Sequence, residues 1–122
     1  MNIQHDIQLQ PYNSFKTKAL AKLFAQPSTI TELQEILSSY KTEKKLVIGS
    51  GCNLFFTRDF DGLIIKPEIH GIRVLEENAD WVEIEAGAAE DWDNFVEFCV
   101  SRGYSGVENL SLIPGTVGAA PI

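Results

Sequence analysis

Two glycine-rich stretches are the residues best suited to chemistry: Gly49-Ser50-Gly51-Cys52-Asn53, and Ile113-Pro114-Gly115-Thr116-Val117-Gly118-Ala119-Ala120. Between Val117 and Pro121 every residue is glycine or alanine, so no bulky side chain screens the backbone N–H groups, and glycine also permits backbone angles closed to other residues. A phosphate group is the natural guest of such a surface. The earlier loop follows the apolar run Leu46-Val47-Ile48, which places it where a strand ends and amides can cradle a pyrophosphate. On its own that loop is a weak signal, because glycines also close tight turns. Two such loops imply a dinucleotide held between them. Neither carries the lysine of a GxxxxGK[ST] loop, which disfavours a nucleotide triphosphatase.

The remaining reactive side chains read as structural. Cys52 and Cys99 form no CxxC and have no neighbouring histidine, so free, reduced thiols are expected and no metal site. No basic neighbour lowers the pKa of Cys52, which favours a packing role. His5 reads as a tail residue and His70 as a solvated turn residue. Glu83 and Glu85 alternate along a strand and read as a solvated face, not an acid–base pair. Trp92, Phe95 and Phe98 read as core.

The elements that must position the two loops follow from pattern. Residues 6–18 are polar and irregular, with Pro11 and Asn13-Ser14 as turn signals, and are expected to cross the surface as an entry arm. Ala19–Gln26 fits a short strand or a helical turn. Thr29-Ile30-Thr31-Glu32 has the form of a capping box, and Ile30, Leu33, Ile36, Leu37 and Tyr40 recur at helical spacing. Leu46–Ile48 is predicted as a buried strand, Asp59–Gly62 as a turn and Leu63–Lys66 as a strand, giving a parallel βαβ portion over residues 1–67. From residue 68 to 122 the pattern changes. Gly71–Glu77 and Trp81–Ala86 alternate and are joined by Asn78-Ala79-Asp80, which predicts a hairpin exposed on one face. Asp91 is expected to cap a second helix carrying Trp92, Phe95, Val96, Cys99 and Val100, with Arg102 in its last turn and Gly103 past its end.

Composition limits the partners. The chain has 122 residues, 44% of them hydrophobic, enough for one domain with a core. Seventeen acidic residues against ten basic ones give a net charge of −7, and no Lys/Arg stripe forms, so nucleic acid is an unexpected partner. No stretch reaches the ~18–20 apolar residues of a membrane span, and the polar N-terminus has no apolar signal region, so a cytoplasmic location without membrane attachment is expected.

Three blocks of this sequence resemble the FAD-containing UDP-N-acetylenolpyruvoylglucosamine reductase (MurB) family. They are Pro11-Tyr12-Asn13-Ser14-Phe15, the run Ile48-Gly49-Ser50-Gly51-Cys52-Asn53-Leu54, and Gly106 to Ile122, reading GVENLSLIPGTVGAAPI. The last is the most specific. Family members usually carry serine at the position of Cys52 and NTF in place of Asn13-Ser14-Phe15. The resemblance implies an α+β FAD-binding domain of the MurB/PCMH type, incomplete in this chain, with the cofactor between the βαβ portion and the start of an antiparallel portion. It implies FAD contacts at Ile48, Gly49, Ser50, Gly51, Cys52, Asn53, Leu54, Ile113, Pro114, Gly115, Val117, Gly118, Ala119, Ala120 and Ile122.

It further implies that NADPH reduces FAD, which passes a hydride to the enolpyruvyl group of a nucleotide sugar to give UDP-N-acetylmuramate for peptidoglycan synthesis. The family's catalytic residues match nothing before Ile122, so no catalytic residue is expected here, and the isolated 122 residues are expected to be an inactive fragment that binds FAD poorly. Two other readings stand beside this one: a different flavoprotein oxidoreductase of the same fold, and a non-catalytic globular module whose glycine loops are structural.

Overall fold

The structure, a computed structural model, describes residues 2–121. It separates into two compact units, one reaching to Ile69 and the other beginning at His70.

The first unit is a four-stranded sheet with strands β1 (Ile3–Gln8), β2 (Leu20–Ala25), β3 (Lys45–Val47) and β4 (Phe60–Ile65) in the order β1-β2-β4-β3. β2, β3 and β4 are mutually parallel, and β1 runs antiparallel to β2. Helix α1 (Ile30–Ser39) connects β2 to β3, so the expected βαβ unit is present, with β4 inserted between its two strands. The two sheet faces bury different sets. Leu23, Ala25, Leu63 and Ile65 meet Ile36 of α1, with Leu33 and Tyr40 beside them. On the opposite face Ala21, Phe24 and Ile64 pack with Leu9, Ala19 and Ile48. A register shift in β2 between Ala21 and Leu23 lets Ala21 and Phe24, three residues apart, share that second face. Full burial of side chains such as Phe24 and Leu63 contributes roughly 1.5–3 kcal/mol each.

Several boundaries differ from the sequence expectation, each for a physical reason. The supposed entry arm begins as a true strand, β1. Its side chains are mostly exposed, and Asp6 sits at φ +51°, which breaks the alternation by which a strand is recognised. The segment after β1 is irregular as expected, apart from a short 3₁₀ turn at Gln10–Tyr12. β3 is an edge strand, not a buried one, and Val47 is 63% exposed. The Asp59–Gly62 turn is mostly strand, since β4 starts at Phe60 and Gly62 lies against the Lys44 carbonyl. Thr29 caps α1 by accepting from the Glu32 N–H at 3.1 Å. Glu32 reaches one residue further back than a capping box requires, accepting from the Ser28 N–H (2.7 Å) and hydroxyl (3.0 Å). Those bonds, the backbone one foremost, hold its carboxyl below the usual range.

The second unit holds the hairpin β5 (Ile72–Glu77) and β6 (Val82–Ala86), helix α2 (Trp92–Ser101), and short 3₁₀ turns at Glu108–Leu110 and Val117–Ala119. The Asn78 side chain closes the hairpin turn by accepting from the N–H groups of Asp80 and Trp81. Val82, Ile84 and Ala86 are half-buried while Glu83 and Glu85 are exposed, the alternation read from sequence. Asp91 caps α2 through the Asn94 N–H at 3.1 Å. Arg102 is the C-cap and not a last-turn residue, and its guanidinium lies 4.4 Å from the centre of the Phe98 ring.

Candidate functional site

Gly49 stands at the carboxyl end of β3, and residues 48–59 carry the chain across the second sheet face to the start of β4. Ile48 anchors this segment from within the core, its N–H bonded to the Ile65 carbonyl at 2.9 Å, and Leu54 and Phe56 pack on the same cluster. Ile48 and Leu54 therefore frame the loop with their side chains turned to the core. Between them, none of the five backbone N–H groups from Gly49 to Asn53 donates to any group among the described residues. Unpaired backbone donors are rare in folded chains, and a run of them beside a parallel-strand terminus is of the kind that can bind an anion.

Gly51 has a different role from the one its sequence suggests. It is buried, its φ is +73°, and a Cβ placed on it would run into the Tyr12 carbonyl. The absence of a side chain there admits the chain's own Tyr12–Ser14 turn, not a ligand. That turn is built by Asn13, which is 1% exposed. Its side-chain amide donates to the Leu9 carbonyl (2.8 Å) and the Thr17 carbonyl (3.2 Å), and its oxygen accepts from the Thr17 N–H (3.1 Å). Ser14 then reaches the loop: its N–H donates to the Gly51 carbonyl at 3.0 Å and its hydroxyl to the Cys52 carbonyl at 2.6 Å. Sequence reasoning read Asn13 and Ser14 as turn signals and as part of the first family-like block, without assigning either a contact to the loop. The signal that could have found them is a buried-amide type placed between Leu9 and Thr17, four residues from each.

The Cys52 thiol is partly exposed and lies 3.1 Å from the Ser50 hydroxyl, and both cysteines are free. Cys99 is buried in α2, and that burial pushes its thiol pKa up. A cavity of about 470 Å³ lies beside the β3 edge, lined in part by Lys44, Phe55 and Arg58 but by none of residues 49–53, so it is separate from the row of amides.

The second glycine-rich stretch is arranged differently. Val117 N–H donates to the Glu90 carbonyl, Gly118 N–H to the Ala88 carbonyl, Ala119 N–H to Thr116 and Ala120 N–H to Val117. A Cβ on Gly118 would come within 2.8 Å of the Ala88 Cβ, so this glycine, too, serves close packing of the chain on itself. The donors left without a partner among the described residues are those of Ile113, Gly115 and Thr116. Gly115 has φ +125° and open space where a Cβ would stand. Pro114 has no N–H to offer. Thr116, part of the stretch singled out from sequence, thus offers a donor where Val117 to Ala120 do not. Ile122 lies outside the described residues.

Glu83 and Glu85 both lie exposed on β6. Glu85 pairs with the Arg73 guanidinium at 2.5 Å, and that hydrogen bond, reinforced by the positive charge, holds its carboxyl below the usual range. An acid so shifted is deprotonated at neutral pH. His70 is not merely solvated: its Nδ1 lies 3.6 Å from the Glu90 carboxylate, which also accepts the Gly71 N–H at 2.7 Å. Trp92 and Phe95 stack against each other half-buried, and the Trp92 indole donates to the Leu110 carbonyl. Among the described residues no group of His, Cys, Asp and Glu has the arrangement of a metal site, and no helix is long and apolar enough to cross a membrane.

Comparison with known proteins places this geometry in context. The family described as FAD binding domain matches residues 21–122. Proteins named UDP-N-acetylenolpyruvoylglucosamine reductase are similar to the chain along its whole length. The one from Pseudomonas fluorescens is 45% identical over 124 residues, that from Amoebophilus asiaticus 43% over 124, and that from Flavobacterium johnsoniae 39% over 122. In each case the match covers 100% of this chain but only 36–37% of the relative. The chain spans little more than a third of the length of these curated relatives.

Proposed function

Because the chain belongs to the FAD binding domain family, we propose that it forms the N-terminal part of the flavin domain of a reductase that converts UDP-N-acetylglucosamine enolpyruvate to UDP-N-acetylmuramate. The observation that carries this reading is the row of unpartnered N–H groups from Gly49 to Asn53 in a chain similar throughout to reductases of that name. These donors fit a pyrophosphate, whose charge is spread over several acceptor oxygens, and Ser50 and Asn53 in the same loop are exposed to solvent. In the second unit, the donors of Ile113, Gly115 and Thr116 are by themselves suited to an anionic group.

Held there, FAD would supply the redox chemistry linking NADPH to the enolpyruvyl group. The contribution of this chain is binding and orientation. Neither Glu83 nor Glu85 is assigned a part in proton transfer, since both are exposed and Glu85 is paired with Arg73. The partner is a small nucleotide sugar, with no nucleic acid or membrane involved, and the place of work is the cytoplasm, where precursors for peptidoglycan, cell shape and cell division are made.

The test is to purify the full-length protein and measure bound flavin and NADPH-dependent loss of the enolpyruvyl substrate. FAD should co-purify and turnover should follow. A protein without flavin would sink the reading, and a flavoprotein inert toward this substrate would favour a different oxidoreductase on the same fold.

A further inference from the structure

We propose that Ser14 is a positioning residue for the anion site, fixing the direction in which the Cys52 and Asn53 N–H groups point. The argument comes from the planarity of the peptide bond. In a trans peptide the C=O of one residue and the N–H of the next point in opposite directions, and among the described residues there are no cis bonds. Ser14 holds two successive carbonyls of the loop, Gly51 through its backbone N–H (3.0 Å) and Cys52 through its hydroxyl (2.6 Å). With both carbonyls drawn to Ser14, the N–H groups of Cys52 and Asn53 are turned to the other side. Both are among the donors without a partner. A glycine-rich loop is otherwise free to flip its peptides, and a flipped Cys52–Asn53 peptide would present a carbonyl oxygen to an anion.

The backbone half of this clamp is independent of residue type, whereas the hydroxyl half is specific to Ser14. Asn13 secures the turn from within, through four hydrogen bonds confined to the turn itself. Ser14 is exposed and fills no part of the core. Its hydroxyl can therefore be removed without unfolding the unit, while the preference of one peptide plane for one direction is lost.

The inference rests on the flavin reading above, and the experiment separates the two. FAD is titrated into the flavin-stripped full-length protein and into its Ser14→Ala and Ser14→Thr variants, and the melting temperature of each flavin-free form is recorded. Ser14→Ala should weaken FAD binding about fivefold, the effect of one neutral hydrogen bond, with the flavin-free melting temperature unchanged. Ser14→Thr, which keeps the hydroxyl, should restore wild-type affinity. Equal affinity of the wild type and Ser14→Ala would overturn the positioning role and leave the flavin reading standing. A Ser14→Ala loss that tracks a fallen melting temperature and is not rescued by threonine would also overturn it. A wild type that binds no FAD would overturn both.

Discussion

Gly51→Val should abolish flavin retention in the full-length protein and destabilise it at the same time. A β-branched side chain at φ +73° costs roughly 1–3 kcal/mol from backbone strain alone, and the added Cβ would also overlap the Tyr12 carbonyl. The loop and the Tyr12–Ser14 turn must then part, and the bonds from Ser14 to Gly51 and Cys52 are lost with them. Both effects together should lower the free energy of unfolding by about 3 kcal/mol or more. Flavin absorbance and chemical denaturation of the stripped protein measure the two halves. The exposed Glu83→Gln change, which removes no contact, should alter neither. If Gly51→Val lost flavin with its stability intact, the glycine would face the ligand and not the turn.

Asn13→Leu attacks the same support from the other side. Leucine is near in volume but cannot pair with its surroundings, so the Thr17 N–H and carbonyl lose their partners, while the Leu9 carbonyl keeps the Tyr12 N–H. Leaving such groups unpaired costs about 1–3 kcal/mol each, less where water reaches them, so a loss of about 2 kcal/mol is expected. Flavin affinity should fall too, because the turn that carries Ser14 is no longer fixed. Denaturation and FAD titration on one preparation check both. Unchanged stability would mean that the Asn13 amide is dispensable to the turn.

The parts of the fold that were legible in the sequence are those where local pattern and tertiary environment agree. Helix α2 has its Asp91 cap and its Val96 and Cys99 face, and the hairpin alternates over a closed turn at Asn78, so each could be read from a short window. β1 could not, because an edge strand with Asp6 at positive φ exposes nearly everything it has. β3 looked buried because Leu46-Val47-Ile48 is apolar, yet only one of its edges is paired and Val47 faces solvent. The site was half legible. Glycine content located both loops, but composition does not reveal where backbone hydrogen bonds go. The amides of Val117 to Ala120 are consumed by the chain itself, whereas those of Gly49 to Asn53 are not. Asn13 and Ser14 act through contacts with residues far along the chain, and nothing in their local spacing reports on Gly51 or Cys52.

Hydrogen–deuterium exchange of the full-length protein, with and without FAD, tests the central claim that the Gly49–Asn53 amides hold the cofactor. Amides without a partner exchange rapidly, and those engaged by a ligand are protected. The amides of residues 49–53 should exchange fast in the stripped protein and slow sharply when FAD is added, with a smaller change at 117–120, where the N–H groups are already bonded. Exchange at residues 49–53 that is the same with and without bound FAD would contradict the assignment.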